Sequence, residues 1–139
     1  MEVREYCIDS DVLIDFLEGV AEAQTFLIRE GARRKLWISV ISLVELYAGI
    51  KKYTQRRGTQ EEAQQIIEGL VSNLEIIALD APLARRAGTL RSIYRKPIAD
   101  TIIAAGVLEF NLALVTRNSR DFRQMSREEG FELIQPYQV

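Results

Sequence analysis

Apolar residues along this chain fall into two alternating kinds of pattern. Short, mostly apolar runs occur at Tyr6-Cys7-Ile8, Leu36-Trp37-Ile38, Leu74-Glu75-Ile76-Ile77, Leu112 to Val115 and Phe131-Glu132-Leu133-Ile134. Runs of that length, rich in branched and aromatic residues, predict buried strands. Between them the apolar positions recur every three or four residues, the period of a helix with one face on a core. Val12, Leu13, Phe16 and Leu17 form the first such stripe, with Ser10 or Asp11 as the cap. Gly19 breaks it, and Ala21 to Glu30 follows with Ala23, Phe26 and Leu27 inward and Gly31 placed to end it or loosen its last turn, since glycine accepts the left-handed conformation. A long helix is predicted over Ser39 to Tyr53, with Leu43, Leu46, Tyr47 and Ile50 at core spacing.

Punctuation supplies the later boundaries. Gly58 is a stop, and Thr59-x-x-Glu62 is a capping box opening a helix over Gln60 to Val71. Asp80 caps the next, whose Pro82 sits in the tolerant first turn. Pro97 opens a helix running to about Phe110 that is nearly apolar all round from Ile102 to Leu108, so it is expected to be buried. Ser119 to Arg123 reads as a single helical turn. Strands alternating with helices imply a parallel sheet covered on both faces. The expected fold is an α/β/α three-layer sandwich with a central parallel sheet of about five strands, one domain over residues 1–139.

On that framework the acids stand out. Asp9 ends the first strand, at the edge where open parallel sheets bind ligands. Glu45 shares a helix face with Ile41 and Ala48, and Asp100 shares one with Ala104 and Val107. Carboxylates aimed inward are costly unless paired or bound to a cation. Asp121 follows the fourth strand, in Thr116-Arg117-Asn118-Ser119-Arg120-Asp121. Each also has a plain structural reading. Asp11 and Asp121 are both placed to cap a helix, Ser42-x-x-Glu45 matches a capping box, and Asp100 suits a helix dipole. What favours chemistry is the order, because in such a fold all four positions can converge on one carboxyl edge. Crowded carboxylates repel, and a divalent cation is their natural complement.

Composition narrows the chemistry further. The 139 residues include no histidine and one cysteine, Cys7, so no imidazole base, no Cys-His pair and no internal disulfide is available. Oxygen donors alone favour hard cations, chiefly magnesium or manganese. Apolar residues are 47% and charged residues 27%, the profile of a globular chain. The start, Met-Glu-Val-Arg-Glu, lacks the apolar stretch of a leader, and Glu45 and Glu109 interrupt the longest apolar runs. A cytoplasmic protein without a membrane span is therefore expected. Net charge is only −2. Yet nine Arg and Lys between positions 81 and 127 face three acids, a local excess that suits phosphate contacts as well as solvated helix faces.

Four blocks, Ile8-Asp9-Ser10-Asp11-Val12-Leu13-Ile14, Ile41-Ser42-Leu43-Val44-Glu45-Leu46, Ala99-Asp100-Thr101-Ile102-Ile103-Ala104-Ala105 and Val115-Thr116-Arg117-Asn118-Ser119-Arg120-Asp121-Phe122, resemble those of PIN domains. The resemblance is nearest to VapC-type toxins of prokaryotic toxin–antitoxin pairs and spans essentially the whole chain. It implies that Asp9, Glu45 and Asp100 are the core catalytic and metal-ligating acids. Asn118 stands at the earlier of two positions for a fourth acid and is not acidic, so that role goes to Asp121. Thr116 matches a hydroxyl that supports the metal site, whereas Asp11 replaces the Asn or Thr of many members. A Mg2+-dependent endoribonuclease, with Mn2+ as the alternative ion, is implied, together with a homodimer and a cognate VapB-like antitoxin. Arg95, Lys96, Arg117 and Arg120 flank the site as expected RNA phosphate contacts.

Two rival readings remain at this point. Asp9-Ser10-Asp11-Val12 also matches the nucleophile motif of haloacid-dehalogenase-like phosphatases, although the later paired-acid motif of that family is missing. An inactive PIN-like binding module is the other, against which the retained acids argue.

Overall fold

The computed structural model describes residues 3–52 and 58–138. Five strands form one sheet in the order β3-β2-β1-β4-β5, all neighbours parallel. They are β1 (Tyr6–Ile8), β2 (Leu36–Ser39), β3 (Glu75–Ile77), β4 (Ala113–Val115) and β5 (Leu133–Ile134). The helices are α1 (Ser10–Leu17), α2 (Ala21–Gly31), α3 (Val40–Ala48), α4 (Gln60–Val71), α5 (Ala81–Tyr94), α6 (Ile98–Glu109) and α7 (Ser119–Glu129). The expected sandwich is present, with the sheet between two apolar layers.

Alternation along the strands sends neighbours to opposite layers. Cys7 and Leu114 join one cluster with Leu83, Ala87 and Leu90 of α5, the buried face of α6, and Phe122 and Met125 of α7. Ile8, Ile38 and Val115 join the other, with Val12, Leu13 and Leu17 of α1, Phe26 and Leu27 of α2, Leu46 of α3 and Ile67 of α4. Thr101 to Val107 of α6 are all buried, as its apolar run requires. A methyl group at Gly106 would stand 3.1 Å from Ile77 Cγ2, so this glycine sets how closely α6 approaches β3.

The sheet order has one consequence for function. The chain moves from β1 outward through β2 to β3, then returns to lay β4 on the opposite side of β1. The carboxyl ends of β1 and β4 therefore flank the point where the winding reverses, where α/β sheets open a crevice for ligands.

Several boundaries depart from the sequence pattern. Asp9, not Ser10 or Asp11, caps α1, its side chain accepting from the Ser10 N–H. Gly31 lies inside α2, and Ala32 ends that helix in a right-handed conformation, so no left-handed glycine is used there. α3 begins after Ser39, which is its cap, and ends at Gly49, with residues 50–52 helical beyond it. Tyr53, the expected end of that helix, lies outside the described residues, as do Met1 and Glu2. α7 is three turns rather than one. Phe122 and Met125 are its only buried residues, and Gly130 (φ 87°) closes it. Eleven residues with two apolar anchors leave little periodicity to read.

Candidate active site

Asp9 extends β1 by one residue, its N–H donating to the Val115 carbonyl across the reversal point at 2.9 Å. The same residue caps α1, so its side chain is fixed from both directions. Oδ1 accepts from the Ser10 N–H at 2.8 Å, and Oδ2 accepts from the Thr116 hydroxyl at 2.8 Å. Only 8% of Asp9 is exposed. Burial raises its carboxyl above the ordinary range, with the two hydrogen bonds pulling the other way.

Thr116 is fully buried just beyond β4 and ties the centre together. Its hydroxyl accepts from the Asn118 N–H at 2.9 Å and lies 3.3 Å from Asp11 Oδ2. A hydroxyl has one proton, so the short contact to Asp9 is the bond it makes while both acids are charged. Asp11 Oδ2 also accepts from the Arg117 main-chain N–H at 3.0 Å. Asp11 Oδ1 is buried with no hydrogen-bond partner among the described residues. Burial, then the charge of Asp9, pushes the Asp11 carboxyl up to about 6.

Glu45 reaches the same edge from α3. The capping-box reading of Ser42-x-x-Glu45 does not hold, because α3 starts a turn earlier at Ser39, and the Ser42 hydroxyl has no hydrogen-bond partner among the described residues. Glu45 is also exposed rather than aimed inward. Its Oε1 accepts from the Ser10 hydroxyl at 3.1 Å, a link from α3 to α1 that involves no cap. Asp100, half-buried in the first turn of α6, completes the group. Burial pushes its carboxyl up to about 6, reinforced by the charges of Asp9, Asp121 and Glu45 and opposed by Lys96. Asp121 accepts from the Asn118 amide at 2.6 Å, so Asn118 holds this acid rather than standing in for it.

The structure thus brings Asp9, Glu45, Asp100 and Asp121 into one electrostatic neighbourhood, with Asp11 as a fifth member. No group of three or more acidic or cysteine side chains among the described residues is already gathered as a metal-holding set. What is present is an oxygen-only donor set, with Asp9, Asp11, Asp100 and Glu45 holding their protons through burial and the last three also through the charge of Asp9. An unpartnered Asp11 oxygen adds to it. That fits a hard divalent cation. Burial pushes the Cys7 thiol up to about 12, so it offers no nucleophile.

The cations divide. Lys96 lies close enough to act on Asp100, while Arg95 and Arg120 are exposed. Arg117, an expected phosphate contact, is engaged within the chain. Its Nη1 donates to both oxygens of Asp15, each at 2.7 Å, and its Nε is buried. Sequence reasoning missed Ser10, Asp15 and Tyr137. For Asp15 a signal existed, since it stands four residues after Asp11 on the same face of α1.

A family model for the PIN domain matches residues 6–128. This chain belongs to the PIN domain family. It is 31% identical to ribonuclease VapC10 of Mycobacterium tuberculosis over 116 residues, 80% of either chain. To the tRNA(fMet)-specific endonuclease VapC of Shigella flexneri it is 26% identical over 128 residues, 87% of this chain and 92% of the other. A solved toxin-antitoxin complex from Klebsiella pneumoniae contains a chain 29% identical with a TM-score of 0.77, covering 96% of this chain and 99% of that one. This PIN domain is a nuclease of the VapC ribonuclease kind. The phosphatase reading of Asp9-Ser10-Asp11-Val12 therefore falls.

Proposed function

We propose that this PIN domain, a single domain over the chain, hydrolyses RNA phosphodiesters with Mg2+, or Mn2+ as the alternative, held by Asp9, Asp100 and Glu45. Asp121 and Asp11 extend the acidic set. The observation that carries this reading is the set of crowded carboxylates at the sheet's reversal point, their protons retained by burial and mutual repulsion. When bound, such an ion supplies activation of water and neutralisation of charge developing on the phosphate. The chain's own residues orient it. Thr116 and the Ser10 N–H fix both oxygens of Asp9, the Ser10 hydroxyl steadies Glu45, and Asn118 holds Asp121. Lys96, with the exposed Arg95 and Arg120, contacts phosphates on either side of the scissile bond. No histidine is required.

The inactive-module alternative is disfavoured by the same acids. Repelling, half-buried carboxylates with no cation to hold would only destabilise the fold. By likeness to the toxin-antitoxin complex from Klebsiella pneumoniae, the protein pairs with a cognate antitoxin; we further propose that this partner is VapB-like, that it restrains the activity in the cytoplasm, and that the protein works as a homodimer. A groove of about 500 Å3, lined by Leu13, Phe16, Leu27 and Leu70 together with Arg34 and Lys35, offers the antitoxin a largely apolar surface. Among the described residues no helix is long and apolar enough to cross a membrane.

The test is cleavage of a mixed RNA pool by purified protein. Cleavage is expected with Mg2+ or Mn2+, is abolished by a chelator, and returns when the ion is restored. Cleavage undiminished in excess chelator would remove the ion from the account.

A further inference from the structure

Behind the acids lies a second cluster that the reaction does not consume. Asp15, on α1 one turn beyond Asp11, is buried. Its two oxygens take Arg117 Nη1 at 2.7 Å each, and Oδ2 also accepts from the Tyr137 hydroxyl at 2.7 Å. Tyr137 comes from the segment after β5, so three distant parts of the chain meet on one carboxylate. Burial and the Asp15 hydrogen bond raise the Tyr137 hydroxyl well above its ordinary range, so it is a fixed donor. The Asp15 carboxylate likewise holds Arg117 protonated. With Nη1 shared between the two Asp15 oxygens and Nε shut away from water, this guanidinium is tied to Asp15 although the side chain is 30% exposed.

The main chain of the same arginine points the other way. Its N–H donates to Asp11 Oδ2 at 3.0 Å, beside the Thr116 hydroxyl that holds Asp9. Anchoring the Arg117 side chain therefore anchors the peptide that orients Asp11. We propose that Asp15, Arg117 and Tyr137 are positioning residues, a brace that fixes the Thr116–Arg117 segment against Asp11 and Asp9. Arg117 thus acts on the cation site through its backbone, not on RNA through its charge. The inference rests on the ion-binding reading above for its consequence, but not for its geometry.

Two measurements on the full chain test it. The first needs no ion. Hydrogen exchange of the Arg117 amide in metal-free protein is expected to be slow in the wild type and at least about tenfold faster in Asp15→Asn. Tyr137→Phe, which removes only one donor, should show a smaller acceleration in the same direction. Amides of Cys7 and Leu114, in paired strands, should not change in either variant. An Arg117 amide whose exchange is the same in all three proteins overturns the brace.

The second measurement is calorimetric binding of Mn2+. Asp15→Asn is expected to weaken binding at least about tenfold and Tyr137→Phe a few-fold. In an Asp11→Asn background, Asp15→Asn should weaken it little further, because the brace acts through Asp11. Unchanged Mn2+ affinity alongside a lower melting temperature, or fully additive losses, would show that these residues support the fold alone. A wild type that binds no Mn2+ would overturn the ion reading, and the exchange measurement would then decide the brace by itself.

Discussion

Glu30 and Asp9 are both carboxylates shut away from water, 4% and 8% exposed, yet their surroundings are opposite. Glu30, near the end of α2, is ringed by arginines. Arg29 Nε and Arg34 Nε each donate at 2.9 Å, and Arg33 Nη1 lies at 3.6 Å. Arg34 is itself nearly buried, its guanidinium lying 4.2 Å from the centre of the Tyr6 ring. Those partners hold the Glu30 carboxyl below its ordinary range despite the opposing effect of burial. Asp9 has hydroxyl and amide donors instead and no ion pair in the described structure, and its neighbours Asp11, Asp100 and Glu45 are acids. Their protons are all held above the ordinary range. Burial alone does not separate a structural acid from a chemical one. The sign of the neighbouring charge does. Asp15, buried against Arg117 and Tyr137, belongs with Glu30 by that criterion although it stands one helical turn from Asp11.

The comparison breaks most visibly in the activity of edge variants. Asp9→Asn or Asp100→Asn should lower RNA cleavage at least about 1,000-fold, about 4 kcal/mol in the barrier. Metal-free unfolding of either variant should show stability equal to or above wild type, because a repelling charge is gone. Loss of stability with activity intact would place these acids with Glu30. Conversely, Glu30→Gln leaves the nearly buried Arg34 guanidinium without its charge partner and should cost about 3 kcal/mol of stability, the low end for a broken buried pair because Arg29 and Arg33 are largely solvated. Its folded fraction should cleave RNA at the wild-type rate. Denaturant titration beside an initial-rate assay separates the two effects.

Glu45→Gln sharpens the distinction because this acid is exposed. Glutamine keeps an acceptor for the Ser10 hydroxyl and removes only the charge, so folding should be unaffected while cleavage slows about 100-fold, roughly 2.7 kcal/mol. A wild-type rate would leave Glu45 no part beyond its bond to Ser10. The smallest effect is on pH dependence. Asp11 and Asp100 bind protons more tightly folded than unfolded, so their contribution to metal-free stability is complete below about pH 4. It is lost as pH rises through about 6. Glu30 works in reverse, stabilising above the ordinary glutamate range and losing that effect as pH falls through its lowered folded value. Urea unfolding between pH 4.5 and 7 in chelator should show the wild type losing stability with rising pH. Asp100→Asn should flatten that slope and Glu30→Gln should not.

What the sequence revealed follows the same physics. Strands and most helices were legible because burial imposes a period, and Asp80, Thr59 and Pro97 marked their starts. The second and third turns of α7 were not, since only Phe122 and Met125 face the core. Asp9, Asp100 and Asp121 could be placed at one edge because an α/β sheet dictates where strand ends gather. The partners of Glu45 and Arg117 could not. Ser10 is 35 residues from Glu45, and Asp15 is 102 from Arg117, so no local spacing encodes either contact. The capping box at Ser42 shows the cost of local reasoning, because a short motif that fits its rule was overridden when Ser39 capped the helix first.

The central claim is that the acids at the reversal point form a cation site. The most direct test is thermal unfolding of the wild type during titration with Mn2+, because a ligand bound only by the folded state stabilises it by mass action. The account predicts a saturable rise, about 8 °C at a hundredfold excess over the dissociation constant, that is absent in Asp100→Asn. A melting temperature that does not move at millimolar Mn2+, or that rises equally in Asp100→Asn, would contradict it.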